Sequence, residues 1–206
     1  MAFTVEQALN WLTKSNEKIQ ENKDYLSELD QAIGDGDHGI NMARGFDEVV
    51  KKLDGNDYKQ VADVWKDAAM TLMSKVGGAS GPLFGTAFLK MSMAAKGGEA
   101  VSYDAFIKAL EDGGAGIKQR GKATEGEKTM VDVWSPVVKQ LKEAKDFDAG
   151  LIRDSSKSAM EATKDIIATK GRAAYLKERS KGHLDPGSVS SYYIFQALSD
   201  CIEGEV

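Results

Sequence analysis

The sequence is poor in cysteine, proline and histidine, with one, three and two of them among 206 residues. Because Cys201 is the single cysteine, no disulfide can form within the chain, and a reducing compartment fits best. The first residues contain neither a basic segment nor an apolar segment, so no signal peptide is expected. No apolar run approaches the ~20 residues that a membrane-spanning helix needs. We therefore expect a cytoplasmic protein with no membrane partner.

Clustered positive charge is also scarce. The formal net charge is -5, and no run of Lys or Arg exceeds two residues. Nucleic acid is therefore not expected as a partner, and an anion site would need a metal or helix ends to supply positive potential. Hydrophobic residues make up 42% and charged residues 29%, which is an ordinary globular balance. With this length, we expect one domain over residues 1–206.

Hydrophobic residues recur at helical spacing along most of the chain, whereas no stretch alternates β-branched and polar residues as a strand does. The pattern predicts an all-α protein with about eight helices and no sheet. A capping box of Thr4 and Gln7 begins the first helix, and Gly97-Gly98 ends the fourth. The predicted helices cover about 4–25, 40–53, 61–76, 80–94, 102–116, 129–141 (capped by Thr129), 149–179 (with a break at Gly171) and 189–201.

Residues 29–41 carry the strongest sign of chemistry, because three aspartates fall within eight residues there. The glycines between them predict a loop that aims the carboxylates of Asp30, Asp35 and Asp37 at one point. Such carboxylates repel one another without a cation, and a few oxygen ligands suit Mg²⁺, which completes its shell with water and phosphate. The alternative is an ordinary solvated turn. An EF-hand is excluded, since position twelve counted from Asp35 is Phe46 instead of Glu.

Four glycine-bearing turns, at residues 34–39, 77–81, 121–126 and 182–187, can meet at one end of a helical bundle. They can do so because successive short loops alternate between the two ends. In the second turn, Ser80 is predicted to be a helix N-cap whose neighbouring N–H groups suit a phosphate. A plain N-cap without a ligand is the alternative there.

Several established site types are missing. The chain has no GxxxxGK[ST], no GxGxxG after a strand and no GxSxG, so P-loop, Rossmann and acyl-transfer sites are excluded. His38 suits a phosphate contact or a phosphorylated carrier, or else a hydrogen bond to neighbouring backbone. His183 is predicted at the surface. Arg172 and Asp185 suit contacts to a phosphate and a ribose hydroxyl, or else an ordinary ion pair and a turn aspartate.

Four blocks of sequence resemble the nucleotide-binding L subunits of bacterial dihydroxyacetone kinases, and the resemblance spans essentially the whole chain. The blocks are GDGDHGINM at 34–42, GGASGPLFGT at 77–86, RGKATEGEKTMVDVW at 120–134 and GRAAYLKERSKGHLDPGS at 171–188. The resemblance implies an eight-helix antiparallel barrel with an adenine nucleotide at one rim. It also implies two Mg²⁺ ions held by Asp30, Asp35 and Asp37.

The same resemblance implies a set of nucleotide contacts. Phosphate contacts are implied around the first two turns, the adenine pocket near Gly121 and Met130, and a cover formed by Arg172 and the last turn. The implied residues are His38, Gly39, Ile40, Asn41, Ala79, Ser80, Gly121, Met130, Arg172, Asp185, Pro186 and Gly187.

For function, the resemblance implies phosphoryl transfer from the nucleotide to dihydroxyacetone, which a separate K subunit holds on its own histidine. In the sugar phosphotransferase version, ADP stays bound as a cofactor and a phosphohistidine on an M subunit recharges it. In the other version ATP exchanges and both domains share one chain, so a separate L domain favours the former.

Three alternatives remain open. One is an ATP-exchanging L-type subunit for another acceptor, such as a fatty acid delivered by a partner. Another is a module whose nucleotide state controls binding to a transcription regulator. The third is a Mg²⁺-dependent hydrolase of ADP-ribose-like substrates, which would need further carboxylate ligands that the sequence does not identify.

Overall fold

The structure, a computed structural model, describes residues 2–95 and 98–204. Within these residues the chain forms nine α-helices, one two-stranded sheet and two 3-10 segments, Thr163–Asp165 and Arg172–Ser180. The strands are β1 (Ala2–Thr4) and β2 (Ala100–Ser102). The helices are α1 (Val5–Glu21), α2 (Lys23–Ile33), α3 (His38–Leu53), α4 (Val61–Lys75), α5 (Ser80–Ala94), α6 (Tyr103–Gly121), α7 (Val131–Ala144), α8 (Ala149–Ala162) and α9 (Pro186–Glu203).

The predicted all-α class is confirmed, and the helices pack in a closed order. From α3 to α9 each helix packs against the next one in sequence, α9 packs against α1, and α1 packs against α3. Helix α2 is the additional element and packs against α3 and α9. Large apolar side chains such as Trp11, Trp65 and Trp134 are fully buried in the core. No helix in the described part of the chain is long and apolar enough to cross a membrane.

The predicted first helix is in fact two helices, which is why the count is nine instead of eight. Helix α1 begins with the predicted capping box, in which Gln7 N donates to Thr4 Oγ1 at 3.2 Å. It ends at the C-cap Asn22, whose backbone N makes the last helical bond to the Lys18 carbonyl and whose side-chain Nδ2 donates to the same oxygen. The chain then turns and forms α2 as far as Ile33. Asp30 therefore lies on a helix, which corrects the prediction that all three aspartates lie on a loop.

The expectation of no sheet is wrong for the described residues. Strands β1 and β2 pair antiparallel, with Phe3 opposite Val101. Each strand has three residues, which is too short to show an alternating pattern in the sequence. The pairing holds Phe3 in an aromatic cluster with Trp11 and Phe106.

The predicted long helix over residues 149–179 is also wrong. Helix α8 ends at Ala162, and the chain continues as the 3-10 turn Thr163–Asp165. One local and one distant contact account for the break: Thr163 Oγ1 donates to the Met160 carbonyl, and Lys128 Nζ donates to the Thr163 carbonyl. The predicted helix stop at Gly97-Gly98 falls partly on Gly97, which lies outside the described residues.

Candidate functional site

One cavity of about 290 Å³ opens at one end of the ring of helices. All four glycine-bearing turns contribute to its wall, as Gly34, Gly77, Gly121 and Gly187 illustrate. The predicted meeting of these turns is therefore confirmed as geometry. It follows from the closed packing order, because every second connection between neighbouring helices lies at the same end.

Four helices begin at the cavity. The first residues of α3, α5, α7 and α9 are His38, Ser80, Val131 and Pro186, and all four line it. The first turn of a helix has backbone N–H groups without partners in the helix, and it carries the positive end of the helix dipole. Because the first turns of four helices converge at the cavity, this end of an otherwise acidic protein is suited to binding phosphate. Sequence reasoning identified only the beginning of α5.

The three predicted metal ligands come together at the mouth of this cavity. One carboxylate oxygen from each of Asp30, Asp35 and Asp37 lies within 4.8 Å of the other two. Asp30 is 9% exposed, and its Oδ2 accepts hydrogen bonds from the backbone N of Asp37 at 3.0 Å and of His38 at 3.1 Å. Three hard oxygen donors, with room for phosphate beside them, fit Mg²⁺.

Glycine is required beside Asp30. A Cβ on Gly34 would lie 2.0 Å from Asp30 Oδ1, which is inside the carboxylate. Gly36 has a φ of +79°, in the left-handed region that favours glycine. The turn can therefore fold back over the end of α2 and place Asp35 and Asp37 beside Asp30.

Arg172 lies across the mouth of the cavity from the end of α2. Its guanidinium pairs with the carboxylate of Asp35, and both side chains are partly exposed, at 62% and 37%. The ordinary ion pair that the sequence left open thus exists, but it forms at the aspartate cluster. Arg172 brings positive charge to the place where phosphate would meet these carboxylates.

His38 joins two other helices through its imidazole. Nδ1 lies 3.1 Å from Ser80 Oγ at the start of α5, and Nε2 lies 2.6 Å from Ser190 Oγ on α9. His38 is the first residue of α3. Besides these two contacts to serine side chains, it has a backbone hydrogen bond at Pro186. Burial lowers the pKa of His38, against the opposing effects of Asp30 and Asp37, so the neutral ring is favoured.

The prediction that Ser80 caps α5 needs correction. Ala79 occupies the N-cap position, Ser80 is the first residue of the helix, and no side-chain capping bond forms. The Ser80 hydroxyl is bonded to His38 instead. Thr129 is likewise not the cap of α7, whose N-cap position is Met130, although Thr129 Oγ1 accepts from the N–H of Val131.

Asp185 closes the far side of the cavity as the N-cap of α9. Its Oδ2 accepts from the backbone N of Ser188 at 2.7 Å and from the Ser188 hydroxyl at 2.9 Å. Burial raises the pKa of Asp185 to about 6. Pro186 and Gly187 line the cavity beside it.

Three of the expected contact residues do not line the cavity. Gly39 is buried against α2, where a Cβ would lie 1.9 Å from the Lys23 carbonyl. Ile40 is 60% exposed, and Asn41 Oδ1 accepts from Arg44. The other expected residues, including Ala79, Gly121 and Met130, line the cavity. His183 is exposed, as predicted.

Lys128 lines the cavity as well and was missed by sequence reasoning. It is 1% exposed, and its Nζ donates to the carbonyls of Thr163, Ile166 and His183. Residues 121–128 read as an ordinary polar connection, because nothing in hydrophobic periodicity separates a buried lysine from an exposed one. Lys128 is buried because three carbonyl groups that are distant in the sequence accept hydrogen bonds from its ammonium group.

Comparison with known proteins assigns this geometry to a family. A family model described as the DAK2 domain matches residues 32–200. The chain belongs to the DAK2 domain family. The resemblance first seen in four blocks of sequence is thereby confirmed.

Bacterial relatives align with the chain along nearly their whole length. The ADP-binding subunit DhaL of the PEP-dependent dihydroxyacetone kinase 1 of Listeria innocua is 52% identical over 198 residues, covering 96% of this chain and 97% of the relative. The DhaL subunit of the PTS-dependent enzyme of Lactococcus lactis is 50% identical over 200 residues, covering 97% and 99%. The Escherichia coli DhaL subunit is 40% identical over 205 residues, covering 97% and 98%. These relatives are kinase subunits by name, so the expected phosphotransferase class is confirmed for the family.

Solved structures show the same fold. The dihydroxyacetone kinase of C. freundii in its native form has a TM-score of 0.71 and 21% identity over 94% of this chain. The same kinase in complex with AMP-PNP and Mg²⁺ has a TM-score of 0.68, again with 21% identity over 94% of this chain. This chain spans about a third of those kinase chains, at 34% and 33%.

Proposed function

We propose that residues 1–206 act as one nucleotide-binding domain that transfers a phosphoryl group from a Mg²⁺-bound adenine nucleotide to dihydroxyacetone on a separate K subunit. ADP is retained as the cofactor, and the phosphohistidine of an M-type phosphotransferase subunit recharges it. The observation that carries this proposal is the convergence of Asp30, Asp35 and Asp37 on a cavity where four helices begin. The names of the full-length relatives, ADP-binding subunits of PEP- or PTS-dependent dihydroxyacetone kinases, support it.

Each part of the cavity suits one part of the nucleotide. Asp30, Asp35 and Asp37 would hold two Mg²⁺ ions, which supply charge neutralisation between carboxylates and phosphate oxygens. The Ser80 hydroxyl and the N–H groups at the starts of α3 and α5 face the phosphates. As the family resemblance implies, we also assign phosphate contacts to Gly39 and Asn41. Ile40 lies between them in the first turn of α3 and is assigned to the same part of the nucleotide site.

The deeper part of the cavity suits the base and the ribose. Its wall includes apolar side chains and a close approach of backbone, from Leu83, Ile117, Gly121, Met130 and Val131. A flat apolar base fits such a slot. Arg172 on one side and the turn from Asp185 to Gly187 on the other cover the nucleotide and keep water away from the phosphates.

The partner and the compartment belong to the proposal too. Dihydroxyacetone is held by the K subunit, so the acceptor is chosen outside this chain. The single cysteine favours a reducing compartment, and we place the reaction in the cytoplasm. An exchanging ATP site that serves another acceptor, or control of a transcription regulator, would use the same cavity.

The deciding measurement is mass spectrometry of small molecules released from the purified protein, with metal content determined on the same sample. We expect one ADP and about two Mg²⁺ per chain, the arrangement suited to phosphoryl oxygens. An empty chain that binds ATP only weakly would contradict retention and favour exchange. Transfer is then followed as formation of dihydroxyacetone phosphate with K and M subunits present.

Variants separate the metal site from the rest of the protein. Asp37→Asn should abolish ADP retention and transfer while leaving the helical content by circular dichroism unchanged. Asp47→Asn is the matched control, since Asp47 lies on α3 in a surface ion pair with Lys51. Normal transfer by the Asp37 variant would overturn the metal assignment.

A further inference from the structure

Lys128 is a buried cation held entirely by backbone carbonyls. Its Nζ lies 2.6 Å from the Thr163 carbonyl oxygen, 3.1 Å from that of Ile166 and 2.5 Å from that of His183. An ammonium group has three N–H donors, and each has one acceptor here. Two of these carbonyls follow α8 and the third precedes α9, so one side chain joins three parts of the chain.

The backbone at Lys128 is in an unfavourable region. Its φ is +62°, which L-residues with a long side chain seldom adopt. The turn around it is prevented from relaxing by Asp132, whose Oδ1 accepts from Gly126 N at 2.5 Å and whose Oδ2 accepts from Thr129 N at 2.7 Å. Strained residues of this kind persist where the surrounding structure requires them, and they cluster at binding sites.

The strained residue Lys128 lies at the wall of the cavity. Its side chain lines the cavity together with Met130 and the turn from Asp185 to Gly187, which lie against each other: a Cβ on Gly187 would be 3.5 Å from Met130 Cε. A second cross-link lies nearby, where Ser188 Oγ is 2.8 Å from the Thr129 carbonyl oxygen and shares its one hydrogen between that oxygen and Asp185 Oδ2. No carboxylate forms an ion pair with Lys128 in the described residues. Its hydrogen-bond acceptors are carbonyl oxygens, and the negative charges of Asp185, Asp165 and Asp132 act on it from farther away. Such a group is costly to bury, so stability alone does not account for a lysine at this place.

We propose that Lys128 is a positioning residue of the nucleotide site, which holds residues 163–185 against the turn at 121–130 before the nucleotide binds. This inference rests on the proposed function. The cross-link holds the segment that leads into the Asp185–Gly187 turn against the Met130 side of the cavity. A site built at its final spacing loses less conformational freedom on binding, and therefore binds more tightly.

The test compares ADP dissociation constants, measured by calorimetry with saturating Mg²⁺ after bound nucleotide has been removed. Lys128→Met keeps the aliphatic stem and removes the ammonium. Lys122→Met is the matched control, because Lys122 is exposed in the same turn and also has a positive φ, of 49°. Phe106→Leu controls for lost stability, because Phe106 is buried near the N-terminus of α6, away from the cavity.

We expect Lys128→Met to raise the dissociation constant at least tenfold at 15 °C, where circular dichroism shows all variants folded. Lys122→Met and Phe106→Leu should change it by less than twofold, even if Phe106→Leu lowers the melting temperature as much. Lys128→Arg, which keeps the charge and the N–H donors, should restore binding to within threefold of the wild type. If Lys128→Met does not fold, Lys128→Gln takes its place with the same thresholds.

The outcomes separate the two proposals. Wild-type protein that binds no ADP with Mg²⁺ overturns the proposed function and this inference with it. Wild-type protein that binds ADP, with a folded Lys128→Met that binds equally well, overturns the positioning role alone. An equal loss in Phe106→Leu also overturns it, because the effect would then follow stability instead of the cross-link.

Discussion

The imidazole Nε2 of His38 lies 2.6 Å from the hydroxyl of Ser190, which ties the start of α3 to the second turn of α9. The other ring nitrogen meets Ser80, so three helices that surround the cavity share one hydrogen-bonded group. Because burial lowers the pKa of His38, the ring links these helices in its neutral form, with one nitrogen donating and one accepting.

Ser190→Ala should therefore affect binding beyond its effect on stability. We expect a loss of about 1 kcal/mol in the free energy of unfolding, as for a typical buried hydrogen bond, and a severalfold weaker affinity for ADP. Ser199→Ala is the matched control, because Ser199 is also buried on α9 and donates to the Ala149 carbonyl far from the cavity. Equal ADP affinities for the two variants, by calorimetry, would argue against a role for the His38 link.

Arg172→Gln tests whether the arginine serves the ligand or the fold. The ion pair with Asp35 is largely exposed, so the free energy of unfolding should change by less than about 1 kcal/mol. The affinity for ADP should fall about tenfold, because a charge-assisted contact to phosphate is lost. Arg153→Gln, which breaks a surface pair with Glu203, should leave affinity unchanged. Unchanged affinity in the Arg172 variant would show that its pair with Asp35 has no part in binding.

Asp185 should make the protein less stable as the pH rises from about 4 to 6, which is opposite to the effect of an ion-paired aspartate. The pKa of Asp185 is about 6 in the folded protein, against an ordinary value of 3.8 for an aspartate, so between about pH 4 and 6 the native state keeps a proton that the unfolded chain has lost. Stability from this group is therefore highest below pH 4 and falls as the pH rises to 6, by about 3 kcal/mol. Asp185→Asn keeps an oxygen acceptor for Ser188 and removes the ionisation.

Urea unfolding of the wild type and of Asp185→Asn, at steps from pH 4 to 7, checks this prediction. The difference in the free energy of unfolding should grow in favour of the variant up to about pH 6 and stay constant above it. If the difference in the free energy of unfolding between Asp185→Asn and the wild type stays constant over the whole pH range, the raised pKa of Asp185 is contradicted.

Gly39→Ala should disturb the aspartate cluster by displacing α2. A Cβ there would lie 1.9 Å from the Lys23 carbonyl and 2.8 Å from the Ser27 N, both of them backbone atoms, so α2 must move. We expect a destabilisation of about 2 kcal/mol and weaker Mg²⁺-dependent binding of ADP, because α2 carries Asp30. Gly114→Ala meets no atom within 4 Å in helix α6 and should stabilise by about 0.5–1 kcal/mol. A Gly39 variant as stable as the wild type would show that α2 is free to shift.

Most helices could be predicted because their apolar residues repeat at helical spacing, as in α4, where Val61, Val64, Trp65 and Ala68 are all buried. The two errors in helix boundaries, at the end of α1 and the end of α8, have one kind of cause. Asn22 ends α1 with its own side chain, and Thr163 lies at the break after α8, where a lysine 35 residues earlier takes its carbonyl. Neither contact leaves a trace in hydrophobic periodicity, since both are hydrogen bonds to the backbone.

The sequence by itself determined the all-α class, the meeting of the four glycine-bearing turns and the grouping of Asp30, Asp35 and Asp37. These follow from local rules: helical spacing, alternation of loops between the ends of a bundle, and glycine between carboxylates. Only the tertiary structure decided that Asp30 lies on a helix, that His38 joins Ser80 to Ser190, and that Lys128 is buried. Those outcomes depend on which distant donors and acceptors the closed ring of helices brings within hydrogen-bonding distance.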